Sequence, residues 1–286
     1  MTFSIAAYAT SESLPPEWGI AVASKFLAVG SAVPWARAGV GAIATQALAN
    51  LGYGRDGLHL LARGLPAADV VEKLTGADEG RDDRQLGVVD RDGVAATYTG
   101  SRCLDWAGGR TSDGYCCQGN ILTGPDVVDA MADAFEGARG SLAPRLLAAL
   151  SAGDAAGGDR RGRQSAALLV VREKGGYGGA IDRAVDLRVD DHARPVEEIT
   201  RLLTLHELYF PRADELEWID VDDVVAAELR SLLDARGYPS GASEGPYDAG
   251  LRDALFAYVG TENLEERWVE EPRIERRVLE HLRQDG

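Results

Sequence analysis

The apolar residues of this chain change their spacing in blocks, and the order of those blocks restricts the fold. Strand-like runs come first, helical spacing follows, strand-like runs return, and helical spacing ends the first 210 residues. A doubly wound fold would alternate single strands with helices, so this order favours helices packed in layers on sheets, which is an α+β architecture. We expect the N-terminal strand to open the sheet and to be central in it.

The predicted strands are apolar runs bounded by turn residues, and the predicted helices carry apolar residues three and four apart. Strands are expected at 2–9 and 18–25, two within 32–46, two within 84–100, and at 115–122, 165–171 and 185–189. Helices are expected within 58–74, where a second one begins near Pro66, in 126–152 with a break near Gly137, and at 196–210.

Composition excludes several classes of function. With 45% hydrophobic and 27% charged residues, a chain of 286 residues buries a core. Its net charge of -16 opposes binding to nucleic acids or anionic membranes. No run approaches the roughly 20 apolar residues of a membrane span, and the N-terminal residues lack the pattern of a signal peptide, so we expect a cytoplasmic protein.

The distribution of charge predicts two domains. Residues 211–286 contain 9 arginines, no lysine and 19 acidic residues, a balance of 9 - 19 = -10. The pattern changes near Pro211, and we therefore expect one domain over 1–212 and a small helical domain over 213–286. Helices are predicted within it at 224–238 and 251–259.

Six blocks of sequence closely resemble a family catalogued as domain of unknown function 1028, over most of residues 1–210. They are MTFSIAAY, WGIAVASKFLAVGSAVPWARAGVGAIATQA, RQLGVVD, DGYCCQGNIL, GGDRRGRQSAALLVV and VDLRVDDH. The resemblance implies a four-layer αββα sandwich of the N-terminal-nucleophile (Ntn) hydrolase type and hydrolysis of an amide bond, without indicating a substrate. Residues 222–282 are similar to a small helical peptidoglycan-binding-like domain.

Thr2 is the candidate nucleophile that this resemblance implies. A small residue after Met1 permits removal of the methionine, which would place an α-amine beside the threonine hydroxyl. Such an amine has a pKa of about 8 and can accept the hydroxyl proton. The alternative is that Thr2 only begins a strand.

Lys25 and the segment around Ser165 supply further candidates. Lys25 ends an apolar strand, where the resemblance implies that a lysine tunes the nucleophile, although strand-end lysines often only extend into solvent. Ser165 could hydrogen-bond the amine of the nucleophile. Asp159, Arg160 and Arg163 lie in the turn before it, where the arginines could bind a substrate carboxylate. An ordinary polar turn is the alternative.

Amide side chains could stabilise an oxyanion. Asn120 is the candidate for this role and Gln118 a substrate-binding candidate, although such residues beside a glycine are often plain turn residues. Ser24, Gln46 and Asp113 flank the same blocks and are further substrate-binding candidates. Structural roles are the alternative for each.

No metal or cofactor is predicted, because the four histidines lack paired spacing and the three cysteines lack a CxxC pair. A cysteine nucleophile is conceivable at Cys116 or Cys117, but buried cysteines are commoner. The leading hypothesis is an amidohydrolase acting on a small molecule or peptide. The alternative is a non-catalytic ligand-binding or scaffold protein. The apolar block 26–35 predicts a homodimer.

Overall fold

The computed structural model describes residues 2–11, 15–212, 215–241 and 245–284. The fold is α+β, and none of the described helices is long and apolar enough to cross a membrane. Contacts divide the chain into two compact units, Met1–Leu203 and Thr204–Gly286. The sequence predicts a boundary after residue 212, and the contacts divide the chain within a helix, Pro195–Tyr209.

The N-terminal unit contains two antiparallel sheets. In chain order the strands are β1 (Thr2–Ala9), β2 (Glu17–Ser24), β3 (Pro34–Arg37), β4 (Gly41–Ala47), β5 (Arg84–Val89), β6 (Ala95–Thr99), β7 (Gly108–Ser112), β8 (Tyr115–Asn120), β9 (Ser165–Arg172) and β10 (Arg183–Val189). A six-stranded sheet has the order β10-β9-β2-β1-β8-β7, and a four-stranded sheet has the order β3-β4-β5-β6. Strand β1 is therefore interior, as the sequence predicts.

A pair of helices packs on one face of each sheet. The first pair is α1 (Gly52–Ala62) and α2 (Ala67–Gly76), and the second is α3 (Asp126–Gly137) and α4 (Leu142–Ala155). A fifth helix, α5 (Pro195–Tyr209), follows β10. Helices α3 and α4 contact β1, β2 and β8 of the larger sheet, whereas α1 and α2 contact β4, β5 and β6 of the smaller one. Apolar residues on one side of each helix fill both of these layers.

The remaining faces of the two sheets pack against each other. Strand β1 contacts β4 and β5, and β8 contacts β5. Ala6 and Ile20 of the larger sheet share a core with Ala42 and Val89 of the smaller one. Strand β1 is thus buried on both faces, which explains why its sequence is apolar rather than alternating.

Strand β7 was not predicted, and its sequence shows why. Residues Gly108–Ser112 read GGRTS, which offers no apolar alternation, and the strand lies at the edge of its sheet. The hairpins β1–β2 and β5–β6 and the helix break near Gly137 are confirmed. Patterns thus identify elements that bury apolar side chains and miss polar edges.

The C-terminal unit combines helices with a short two-stranded sheet. Its elements after α5 are β11 (Trp218–Asp220), α6 (Asp223–Ala235), α7 (Ala249–Thr261), β12 (Arg273–Glu275) and α8 (Arg276–Gln284). Strands β11 and β12 pair over three residues each, too few to show alternation in sequence. The core contains Leu229 and Leu233 of α6, Leu255 of α7 and Leu279 of α8.

We expect Asp222→Ala to destabilise α6 by about 1 kcal/mol. The Asp222 carboxylate accepts hydrogen bonds from the backbone N–H groups of Val224 (3.0 Å) and Val225 (2.9 Å), which have no partner within the helix. Amide hydrogen exchange in peptides from α6 should accelerate about fivefold. Asp223→Ala removes an acidic residue of the same turn that is not the cap, and it should change exchange much less; equal effects would contradict a capping role.

Candidate active site

A row of polar side chains crosses the larger sheet at the end where β1 begins. Thr2 pairs with Asn120 of β8, and Ser24 of β2 pairs with Ser165 of β9. Thr2 Oγ1 lies 3.1 Å from Ser24 Oγ, which joins the two pairs. All four residues are buried, with Thr2 6% exposed. Register across four strands therefore brings together residues that are far apart in the sequence.

The row faces the smaller sheet. Successive residues of a strand point to opposite faces, and directly paired residues point to the same face. Phe3 and Ile5 belong to the core beneath α3 and α4, whereas Ala6 belongs to the core between the sheets. Thr2 and Ser4 alternate with Phe3 and Ile5, so they share the face of Ala6.

Side-chain amides from both sheets form a hydrogen-bonded network beside this row. Gln46 Nε2 donates to Gln85 Oε1 (2.8 Å), and Gln46 Oε1 accepts from Ser4 Oγ (2.7 Å). Gln118 Nε2 donates to Ser4 Oγ (2.7 Å), and Asn120 Nδ2 donates to Gln85 Oε1 (3.0 Å). Buried polar groups require such partners, and here each amide holds the next in orientation.

Gln85 was not singled out from the sequence, yet it sets the orientation of Asn120. Gln85 Nε2 donates to the Gly119 carbonyl (2.7 Å) and to Thr99 Oγ1 (2.9 Å), so its oxygen faces Asn120. The Asn120 nitrogen must point towards that oxygen, which uses one of its two N–H groups. The signal available in the sequence was a glutamine that begins the apolar run QLGVV. Burying a polar side chain costs free energy unless it is hydrogen-bonded, so such a glutamine indicates a specific partner.

A loop between α4 and β9 lies next to the row and forms one side of a small cavity. Asp159 is buried, and its carboxylate accepts hydrogen bonds from the backbone N–H groups of Lys25 (2.8 Å) and Arg161 (2.9 Å). The cavity has a volume of about 110 Å³ and is lined by Phe3, Ser24, Asp154, Gly157, Asp159, Gly162, Arg163 and Pro195. Ser24 therefore connects the cavity to the Thr2 hydroxyl.

Lys25 and Ser165 hold loops in place near the row. Lys25 Nζ is hydrogen-bonded to the Arg163 carbonyl (3.3 Å), and no described contact joins it to Thr2. Ser165 Oγ donates to the carbonyl of Phe26 and accepts from the backbone N–H of Val29 (3.1 Å). Both residues thus fix the segment after β2, and the direct roles expected of them stay predictions.

The arginines of this loop differ in their pairing. Arg163 Nε donates to both carboxylate oxygens of Asp154, at 2.7 and 2.9 Å. Arg160 is exposed, and its backbone N–H donates to the Ile121 carbonyl (3.2 Å), directly after Asn120. Arg160 thus lies beside the row with its guanidinium in solvent, whereas Arg163 already holds a carboxylate of the chain.

Asp113 lies away from the other candidates. It occupies the turn between β7 and β8, two residues before Tyr115, which pairs with Ala7. Thr2 and Asn120 are at the opposite end of the same strands. The structure therefore groups four candidates with Thr2, namely Ser24, Gln46, Gln118 and Asn120. Asp159 and Arg163 line the adjacent cavity. Asp113 lies at the far end of the sheet.

The adjacent cysteines are unsuited to nucleophilic chemistry. Burial raises the pKa of the Cys116 thiol to about 12, and burial raises the pKa of Cys117 well above its usual range. A thiol must ionise to attack, so both remain protonated at neutral pH. Within the described ranges, no group of three histidine, cysteine or acidic side chains is arranged to hold a metal ion.

Comparison with protein families accounts for most of the chain. Residues 2–199 match the family described as "Family of unknown function (DUF1028)", and this match covers more than half of the sequence. The chain belongs to this family. Residues 209–282 match a second family, described as "Putative peptidoglycan binding domain".

A solved structure supports the assignment of the DUF1028 part. The crystal structure of a DUF1028 protein from Silicibacter pomeroyi is 33% identical to this chain, with a TM-score of 0.65. The similarity covers 72% of this chain and 86% of that one. A comparison with curated proteins gives no match. The comparisons thus establish the family and name no reaction or substrate for it.

Proposed function

We propose that the N-terminal unit is an Ntn-hydrolase-like αββα sandwich and that it hydrolyses an amide bond of a small molecule or peptide, with Thr2 as nucleophile. The observation that carries this proposal is the buried Thr2 hydroxyl, which begins an interior strand and lies 3.1 Å from Ser24 Oγ. The packing of one helix pair on each of two facing sheets supports the fold assignment.

The chemistry requires cleavage of the peptide bond between Met1 and Thr2; Met1 is outside the described residues. The new α-amine, with an ordinary pKa of about 8, accepts the Oγ1 proton as Oγ1 attacks the substrate carbonyl carbon. The tetrahedral adduct then loses its C–N bond, the leaving amine takes the proton, and an ester remains on Thr2. Water hydrolyses this ester, which releases the acid and restores the hydroxyl.

Neighbouring residues have distinct roles in this proposal. Asn120 uses one N–H for Gln85, and its second N–H can stabilise the oxyanion. Ser24 orients the Thr2 hydroxyl, and Gln46 donates to the Thr2 carbonyl (3.3 Å). Lys25 acts by positioning the loop at Asp159, because its ammonium is bound to a backbone carbonyl of that loop. Bound substrate would extend into the cavity at Ser24.

Covalent labelling tests the proposal without a known substrate. A β-lactone should acylate Thr2: Oγ1 attacks the ring carbonyl, the ring C–O bond breaks, and the alkoxide takes the proton that leaves Oγ1. Intact mass should first show loss of Met1 and then a gain equal to the whole probe. Peptide mapping should place the adduct on Thr2.

Two variants make this result specific. Thr10→Ala removes an exposed threonine at the other end of β1 and should label like the wild type. Thr2→Ala should remain unlabelled. If Met1 is absent and the wild type still shows no adduct, or if Thr2→Ala is labelled equally, the nucleophile proposal is wrong and the ligand-binding alternative is favoured.

A further inference from the structure

We infer that the amide substrate of the Thr2 site carries an apolar acyl chain, which is held by exposed apolar side chains on the loops around the polar row. This inference rests on the proposed Thr2 chemistry and adds the class of substrate. We call these side chains, Phe26, Leu27, Leu48 and Leu104, the acyl rim. Each is more than half exposed, at 56%, 59%, 68% and 64% respectively.

Two members of the acyl rim follow β2 directly. Strand β2 ends at Ser24, the hydrogen-bond neighbour of Thr2. Phe26 and Leu27 follow Ser24 by two and three residues. The hydrogen bond from Ser165 Oγ to the Phe26 carbonyl ties this segment to the polar row. The exposure of these two side chains contrasts with the burial of Val29.

The other two members lie on loops at the same end of the sheets. The backbone N–H of Ile121, directly after Asn120, donates to the Leu104 carbonyl (2.8 Å). Leu48 follows β4 two residues after Gln46, whose amide donates to the Thr2 carbonyl (3.3 Å). Hydrogen bonds therefore connect the loops of Phe26 and Leu104 to the polar row or its immediate neighbour, and Leu48 is placed by its position two residues after Gln46.

Three arginines on these loops are already paired with carboxylates of the chain. Arg161 is paired with Asp159, Arg163 with Asp154, and Arg102 with Asp82 and Asp83. In the described part of the chain, Lys25, Asp105 and Arg160 have no ion pair, and the Lys25 ammonium is hydrogen-bonded to the Arg163 carbonyl. An apolar chain bound by the acyl rim would break none of the existing pairs and would remove exposed apolar surface from water.

A substrate chain fits this surface better than a second copy of the protein does. A stable interface takes roughly 20 residues from each side. The acyl rim offers four large apolar side chains on separate loops, and Val29 and Val33 of the block expected to form a dimer are buried. Four exposed apolar side chains on loops at this end of the sheets match the size of an alkyl chain better than that of a protein interface.

Two β-lactones that differ only in their alkyl substituent, methyl or octyl, test this inference on the full chain. Rates of Thr2 acylation are measured by intact mass and divided by the rates of each probe with threonine methyl ester, which corrects for intrinsic reactivity. We expect the corrected octyl rate to exceed the methyl rate at least about tenfold, which corresponds to burying about two methylene groups.

The double variant Phe26→Ser/Leu27→Ser should reduce this octyl-to-methyl ratio towards one. Tyr177→Ser/Ile181→Ser, which changes exposed apolar residues in the turn between β9 and β10, should keep the wild-type ratio.

An octyl-to-methyl rate ratio near one in the wild type, with both probes attached to Thr2, would overturn the inference of an acyl chain but not the assignment of Thr2 as nucleophile. Absence of both adducts would overturn the assignment of Thr2 as nucleophile. Sedimentation showing a dimer that Phe26→Ser/Leu27→Ser dissociates, together with a ratio near one, assigns the surface to a second copy instead.

Discussion

Thr2→Ala is expected to lower kcat/KM for an amide substrate by at least about a thousandfold, because it removes the atom that forms the ester intermediate. The thermal midpoint should change little. The substitution deletes one hydroxyl and one methyl group, and its hydrogen bond to Ser24 contributes about 1 kcal/mol. A screen of amide mixtures with Met-free protein provides the substrate, and initial rates then provide the comparison.

Two further variants separate the nucleophile from its surroundings. Thr2→Ser keeps both the hydroxyl and the α-amine, and it should retain turnover within about a hundredfold of the wild type. Ser24→Ala keeps the nucleophile but removes its hydrogen-bond neighbour, so its loss should be smaller than that of Thr2→Ala. Equal rates for the wild type and Thr2→Ala would require another catalytic group.

Arg267→Met is expected to destabilise the C-terminal unit by about 3–5 kcal/mol. Arg267 and Glu275 form an ion pair at 2.7 Å, and each side chain is only 1% exposed. Arg267 also donates to the carbonyls of Leu208 (2.6 Å) and Glu207 (2.7 Å). Its loss leaves a buried carboxylate and two backbone carbonyls without their cationic partner, in a unit whose whole stability is of the order of 5–15 kcal/mol.

An exposed pair on the same unit provides the control. Arg276 contacts Glu217 with side chains 54% and 64% exposed, so Arg276→Met should cost no more than about 1 kcal/mol. Urea unfolding monitored by hydrogen exchange in each unit gives both values and shows whether the N-terminal unit is unaffected. Similar losses of unfolding free energy in the two variants would show that the buried pair stabilises the unit no more than the exposed pair does.

The sequence predicted elements more completely than it predicted the site. Strands β1 and β2 were recognisable because both of their faces are buried, whereas β7 is a polar edge strand. Thr2, Ser24 and Asn120 were named individually, but only the antiparallel register shows that they are neighbours. Gln85 was missed because its importance comes from contacts with another sheet; the sequence of its strand shows a glutamine beside apolar residues but not which groups that glutamine contacts.

The network of amides beside Thr2 surrounds the hydroxyl with groups whose charge does not depend on pH. Gln46, Gln85, Gln118, Asn120 and Ser4 carry no group that gains or loses a proton in the range where carboxylic acids and imidazoles titrate. Their hydrogen bonds thus remain the same in mildly acidic and mildly alkaline solution. Under the proposed chemistry, the Thr2 amine can change its protonation state while the layer next to it stays electrically constant.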